Sequence, residues 1–224
     1  MKFSKGCSYA LMLLAVCVGG RAGATSLLDI PGPTGDYFLF WDGALADSWT
    51  QNFSVTDGSV SVLVQGQGDS GGTIHFYLTT NIGPTATLSD LVAVSTEQVP
   101  SDLTTVTPFL NLNLGPGTYY LIMADYNDPA PEYYGPAWNY HPGTTGIQTI
   151  PGLTLNAMQT ATSLGPYAPA ADFYVDPYDE SGVLSFTGTI VPTPPVPEPT
   201  TLRMLVAGLI AFGVAHMTRL RAAT

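Results

Sequence analysis

An all-β fold, an antiparallel β-sandwich with a jelly-roll-like strand order, is the architecture this sequence predicts, and three observations predict it. Apolar and polar residues alternate with a period of two in several short segments. Glycine and proline, 24 and 19 of 224 residues, break the chain at nearly every junction between those segments. No amphipathic run at helical spacing separates the two ends of the chain.

The elements follow in order. Asp36–Trp41 is an apolar run and Trp49–Val55 a second strand. Asp57-Gly58 then reads as a hairpin signal. Ser59–Gln65 returns, with Val60, Val62 and Val64 on one face. In Thr73–Thr79, Ile74, Phe76 and Leu78 share a face, with His75 and Tyr77 on the other. Leu88–Val94 fits a helical turn or a short strand. Pro108–Leu114, Thr118–Ala124, Asp172–Val175 and Val183–Val191 complete the set.

Charge divides the chain more sharply than hydropathy does. All 6 Lys and Arg residues (Lys2, Lys5, Arg21, Arg203, Arg219, Arg221) lie near the ends, and all 17 Asp and Glu residues fall between Asp29 and Glu198. The stretch 25–191 therefore has neither Lys nor Arg. Nucleic-acid or phosphate binding through basic groups is excluded there, as are Lys Schiff-base chemistry and carboxylate salt bridges to Lys or Arg. Stability has to come from apolar burial and hydrogen bonds, for which roughly 170 residues suffice to build one core.

The N-terminus reads as a signal peptide spanning 1–24. Lys2 and Lys5 form a positive n-region, Ala10–Val18 an apolar h-region, and Ala22-Gly23-Ala24 a site for signal peptidase. Cleavage after Ala24 removes Cys7 and Cys17, so the mature chain enters an oxidising compartment without a thiol.

The C-terminal stretch 192–224 has three parts. A proline-rich spacer carrying Pro197-Glu198-Pro199 leads into the apolar segment Met204–Met217, and Arg219 and Arg221 follow. At about 1.5 Å per helical residue the apolar segment reaches roughly 21 Å, short for a membrane span taken alone. Arg203 and the trailing arginines lengthen the effective span by snorkelling, and the trailing arginines orient its C-terminus to the cytoplasm. This order of parts resembles the PEP-CTERM sorting signal of Gram-negative bacteria. The resemblance implies a transmembrane helix, transient residence in the inner membrane, processing by an exosortase, and delivery to the cell surface or an extracellular matrix. Pro197, Glu198, Pro199, Arg219 and Arg221 match the motif, while Arg203 stands where the family usually begins its apolar run. A plain membrane anchor is the alternative.

Leu114-Gly-Pro-Gly-Thr-Tyr-Tyr-Leu121, a glycine turn feeding an aromatic strand, is similar to a strand signature of bacterial pre-peptidase C-terminal sandwiches. That resemblance implies a non-catalytic accessory or matrix module.

Three constellations carry candidate chemistry. Gly68-Asp-Ser-Gly-Gly72 spells the nucleophile motif of trypsin-like proteases, but His75, His141 and His216 all follow Ser70, the reverse of that family's order, so a turn is the expected reading. Asp125, Asp128 and Glu132, and Asp176, Asp179 and Glu180, are oxygen donors at short spacing that suit a hard cation such as Ca²⁺; they serve equally as solvated acids. Tyr133, Tyr134, Trp138 and Tyr140 form an aromatic cluster suited to stacking on sugar rings, or to packing a Gly/Pro loop onto the sandwich.

Two functions follow from these residues. One is an exported, non-catalytic module that meets polysaccharide and no nucleic acid. The other is a secreted carboxylate-dependent glycosidase using a pair drawn from Asp125, Asp128, Glu132, Asp176 and Glu180.

Overall fold

The computed structural model describes residues 23–32, 37–39, 43–66, 73–98, 100–125, 136–162, 166–176, 180–192 and 204. The chain divides into two compact units, Met1–Val191 and Pro192–Thr224. Most of the expected signal peptide and the expected transmembrane helix lie outside the described residues. Among the described residues no helix is long and apolar enough to cross a membrane.

The described residues of the first unit are all-β, sandwich-like, and built from antiparallel strands: β1 (Thr25–Asp29), β2 (Tyr37–Leu39), β3 (Ala44–Gln51), β4 (Ser54–Gly66), β5 (Thr73–Thr79), β6 (Leu91–Gln98), β7 (Thr104–Leu114), β8 (Gly117–Asp125), β9 (Pro136–Pro142), β10 (Gln148–Thr149), β11 (Leu153–Leu155), β12 (Gln159–Ala161), β13 (Tyr174–Val175), β14 (Glu180–Gly182) and β15 (Leu184–Val191). One sheet runs β10-β1-β15-β4-β9-β14, with β7 also on β4 and β2 also on β9. The other runs β13-β12-β3-β8-β5-β6, with β11 also on β3.

The alternation read from the sequence sets the inner faces. Val60, Val62 and Val64 of β4 and Ile74, Phe76 and Leu78 of β5 are all buried in one core with Trp49, Leu121, Met123, Trp138 and Phe186. A smaller apolar cluster, Ala44, Ala46, Ile122, Ala124 and Ala168, lies on the alternate face of β3 and β8. There Tyr167 packs edge-on to Tyr77. Strand β3 is therefore buried on both faces along most of its length. Leu88–Val94 combines both of its expected forms, a 3₁₀ turn at Leu88–Asp90 running into β6.

Two expectations are corrected. Asp57-Gly58 does not turn a hairpin; it is a bulge inside β4, with Asp57 at φ 53°. Strand β15 pairs on both sides of it, Ile190 with Val55 and Phe186 with Val60. The left-handed conformation that suits a hairpin also suits a bulge, and the distant partner decides between them. Gly58 fits tightly there, since a β-carbon would sit 3.1–3.3 Å from Leu112 and Phe186. The predicted strand Trp49–Val55 is likewise interrupted at Asn52-Phe53, where the chain passes from one sheet to the other. A second passage, Gly115-Pro116, links β7 to β8. Gln51 joins the two: its Nε2 donates to the carbonyls of Phe53 and Gly115, at 3.0 and 3.1 Å.

Strands β14 and β15 act as one strand that changes partner at Val183. Its N–H donates to the Asn139 carbonyl of β9 at 2.7 Å, and its own carbonyl accepts from Leu63 of β4 at 3.1 Å. This junction positions the groove described next.

Candidate functional site

The segment after β9 makes a series of short strands, and its geometry leaves a groove. Strand β11 continues the edge of β3 at Trp49–Gln51, while β12 takes up the same edge at Ala44–Ala46. Residues 156–158 are left between them, tied by the Asn156 N–H to the Ser48 carbonyl at 2.9 Å. Across from this stretch stands β14. The space between is about 640 Å³. Thr144, Thr149, Thr154, Asn156 and Ser181 supply hydroxyl and amide groups, and Ile147, Leu153, Leu155, Met158 and Val175 supply apolar wall.

Two of the sequence-predicted acids, Asp176 and Glu180, line this groove. Asp176 is buried, and its N–H donates to the Met158 carbonyl at 2.9 Å. Glu180 is half-buried at the start of β14. Their neighbour Asp179 lies outside the described residues, as do Asp128, Glu132, Tyr133, Tyr134, the Gly68–Gly72 motif, Ala22, Pro197, Glu198, Pro199, Arg219 and Arg221; Asp125 ends β8, and Ala24 is exposed ahead of β1. Among the described residues no group of three or more His, Cys, Asp or Glu side chains is placed to hold a metal ion.

The aromatic cluster is divided by the fold. Trp138 is 0 % exposed, in the core between the sheets. Its Nε1 donates to the Val183 carbonyl at 3.1 Å. Trp138 thus packs the core and presents no ring face to a ligand. Tyr140, two residues on, is half-buried in β9.

Sequence reasoning missed Asp47, which is 0 % exposed in the middle of β3. Leu45, Asp47, Trp49 and Gln51 share one face of that strand, and Leu45 and Trp49 belong to the inter-sheet core. Asp47 reaches across that core: its Oδ2 accepts the N–H of Gly182, in β14, at 2.6 Å. Among the described residues its buried Oδ1 has no hydrogen-bond partner. Burial pushes the Asp47 carboxyl up to about 8, against the smaller opposing effect of the Gly182 amide. Gly182 is held from its other side, where a β-carbon would overlap the Trp138 indole. A lone acid in Ala44–Trp49 was the available signal, since the neighbouring residues are apolar or small and an unpaired carboxylate is costly in such a strand.

Electrostatically the groove offers carboxylates with no Lys or Arg anywhere in 25–191 to offset them. The arrangement suits a neutral hydroxylated ligand or a cation, and disfavours an anionic one. No protein-family model matches the chain, and no curated protein matches its sequence.

Proposed function

We propose that this chain is an exported, non-catalytic sandwich protein of jelly-roll-like order, delivered by an exosortase to the cell surface or exopolysaccharide matrix of a Gram-negative bacterium. One observation carries this reading: the ordered series Pro197-Glu198-Pro199, apolar 204–217, Arg219 and Arg221 follows a body free of Lys and Arg. Signal peptidase and the exosortase are the processing partners, and the inner membrane is a transient station.

Deleting the chain from Val196 onward tests it. The expected outcome is intact export with loss of membrane retention and of C-terminal processing, read by cell fractionation and intact-mass measurement. Truncated and full-length chains that partition alike would refute the sorting reading.

The body's role in this reading is to engage neutral or amino-bearing polysaccharide through the 144–181 groove, whose hydroxyl and amide rim and apolar wall are the complement of a sugar's hydroxyls and C–H faces. A glycan array of exopolysaccharide fragments should register binding that Thr154→Lys or Met158→Lys weakens at least tenfold. The shared groove of Asp176 and Glu180 favours a second reading, a glycosidase. Release of reducing sugar from the same fragments, abolished by Glu180→Gln, would select it over the binding module.

A further inference from the structure

We propose that Asp47 is a proton-operated latch between the two sheets, which in its neutral form ties the β14 wall of the groove to β3 and on ionisation releases it. The geometry assigns each oxygen a role. Oδ2 accepts the Gly182 N–H at 2.6 Å. Oδ1 is buried and has no hydrogen-bond partner among the described residues, so the latch places the proton of the neutral acid there. A buried hydroxyl lacking a partner is a modest cost, whereas a buried carboxylate satisfied by one amide and no cation is a large one.

No Lys or Arg occurs in 25–191 to change that balance. Among the described residues, the ionisable groups on the elements around Asp47 are Tyr119, Tyr120 and Asp125 on β8, Tyr140 and His141 on β9, Glu180 on β14, and Tyr174 on β13 with Asp176 after it. Tyr119 donates to the Gly115 carbonyl at 2.9 Å, and His141 Nε2 donates to the Thr145 carbonyl at 2.7 Å. His141 occupies the alternate position of β9 to Tyr140, the residue opposite Gly182.

The latch bears on the groove because the strand it holds is three residues long. Glu180 and Ser181 line the groove, and Gly182 is the residue Asp47 grips. Freeing Gly182 from Asp47 leaves that wall held through its pairing with β9 alone, and so loosens it. Burial favours the neutral acid in the folded state, so the folded chain binds a proton that the opened chain gives up. Stability from the latch is full below the ordinary carboxyl range, and it is lost progressively as pH rises to the folded-state value. The regulatory meaning rests on the groove being the binding site proposed above; the latch itself is tested without any groove ligand.

The experiment uses the full-length chain in detergent micelles and its Asp47→Asn variant, which keeps the shape of the neutral acid. Hydrogen exchange of the β14 peptide, corrected for intrinsic rates, is followed from about pH 5 to about pH 9. The ratio of wild-type to variant opening constants is expected to climb by up to tenfold per pH unit over the lower part of that range and to level off near its top. Parallel profiles for the two proteins would overturn the latch. Infrared spectroscopy gives a second readout on the wild type alone, should Asp47→Asn fail to fold. A protonated-carboxyl carbonyl band at neutral pH that disappears in alkali is expected, and its absence at neutral pH would overturn the proposal equally.

Discussion

Asp47 and Gln51 stand four residues apart on the same face of β3, both buried in the same core, and their surroundings could hardly differ more. Gln51 is saturated: its Oε1 accepts the Trp49 indole N–H at 3.0 Å, and its Nε2 donates to the carbonyls of Phe53 and Gly115. Asp47 has one partner and one bare oxygen. A fully satisfied buried polar group fixes a geometry and ignores pH. A half-satisfied one does the same only while it stays neutral, so it converts pH into mechanical freedom. Gln51 joins the two inter-sheet passages at residues 52–53 and 115–116; Asp47 joins the sheets beside the groove. The fixed end and the adjustable end of the sandwich thus hang from one strand.

Removing Gln51 should produce the largest effect. Gln51→Ala leaves the Trp49 N–H buried without an acceptor and takes a donor from each passage, although the Gly115 carbonyl keeps the Tyr119 hydroxyl at 2.9 Å. Together with the space vacated, this should destabilise the fold by about 3 kcal/mol in chemical denaturation. The loss should be the same at pH 5 and pH 8, because no group in the network titrates between them. A loss that varies with pH would make Gln51 part of the Asp47 system and erase the contrast. Asp47→Asn has the opposite signature, near neutrality at low pH and a growing advantage over the wild type as pH rises.

The parts of the molecule legible in the sequence are those where a strand has one inner and one outer face. Strand β5 matches its predicted bounds, Thr73–Thr79, because Ile74, Phe76 and Leu78 alternate without interruption. Strand β9 was hidden. Its residues Pro136–Pro142 sit among tyrosines, prolines and glycines, and they look like a loop until β2, β4 and β14 are present to pair with them. The same holds for Asp57-Gly58, whose local signal fits a turn and a bulge alike until β15 is in place. Of the candidate site, the sequence offered Asp176 and Glu180, which the fold does bring to one groove. The hydroxyl and amide rim and the Asp47 bridge depend on contacts between residues more than a hundred positions apart, which periodicity cannot encode.

A third aspartate sharpens the comparison at the smallest scale. Asp90 closes the 3₁₀ turn before β6, its Oδ2 accepting the Thr87 N–H at 2.8 Å and the Thr87 hydroxyl at 3.0 Å. Those bonds, the backbone one foremost, hold its carboxyl below the usual range, the reverse of Asp47. The sign of its contribution reverses too: a depressed folded-state pKa stabilises above the ordinary carboxyl range and is lost as pH falls through the folded value. Because the site is open to solvent, the effect is small. Asp90→Asn keeps an acceptor for Thr87 but loses the charge, so its melting temperature should lie slightly below the wild type at neutral pH and converge with it only as pH falls below the folded-state value, which lies under the ordinary carboxyl range. Asp47→Asn should diverge from the wild type in the other direction, towards alkali. If Asp90→Asn instead tracked Asp47→Asn across the pH range, the two aspartates would be reporting a common property of an acid-only surface, and burial would lose its place as the reason Asp47 behaves as it does.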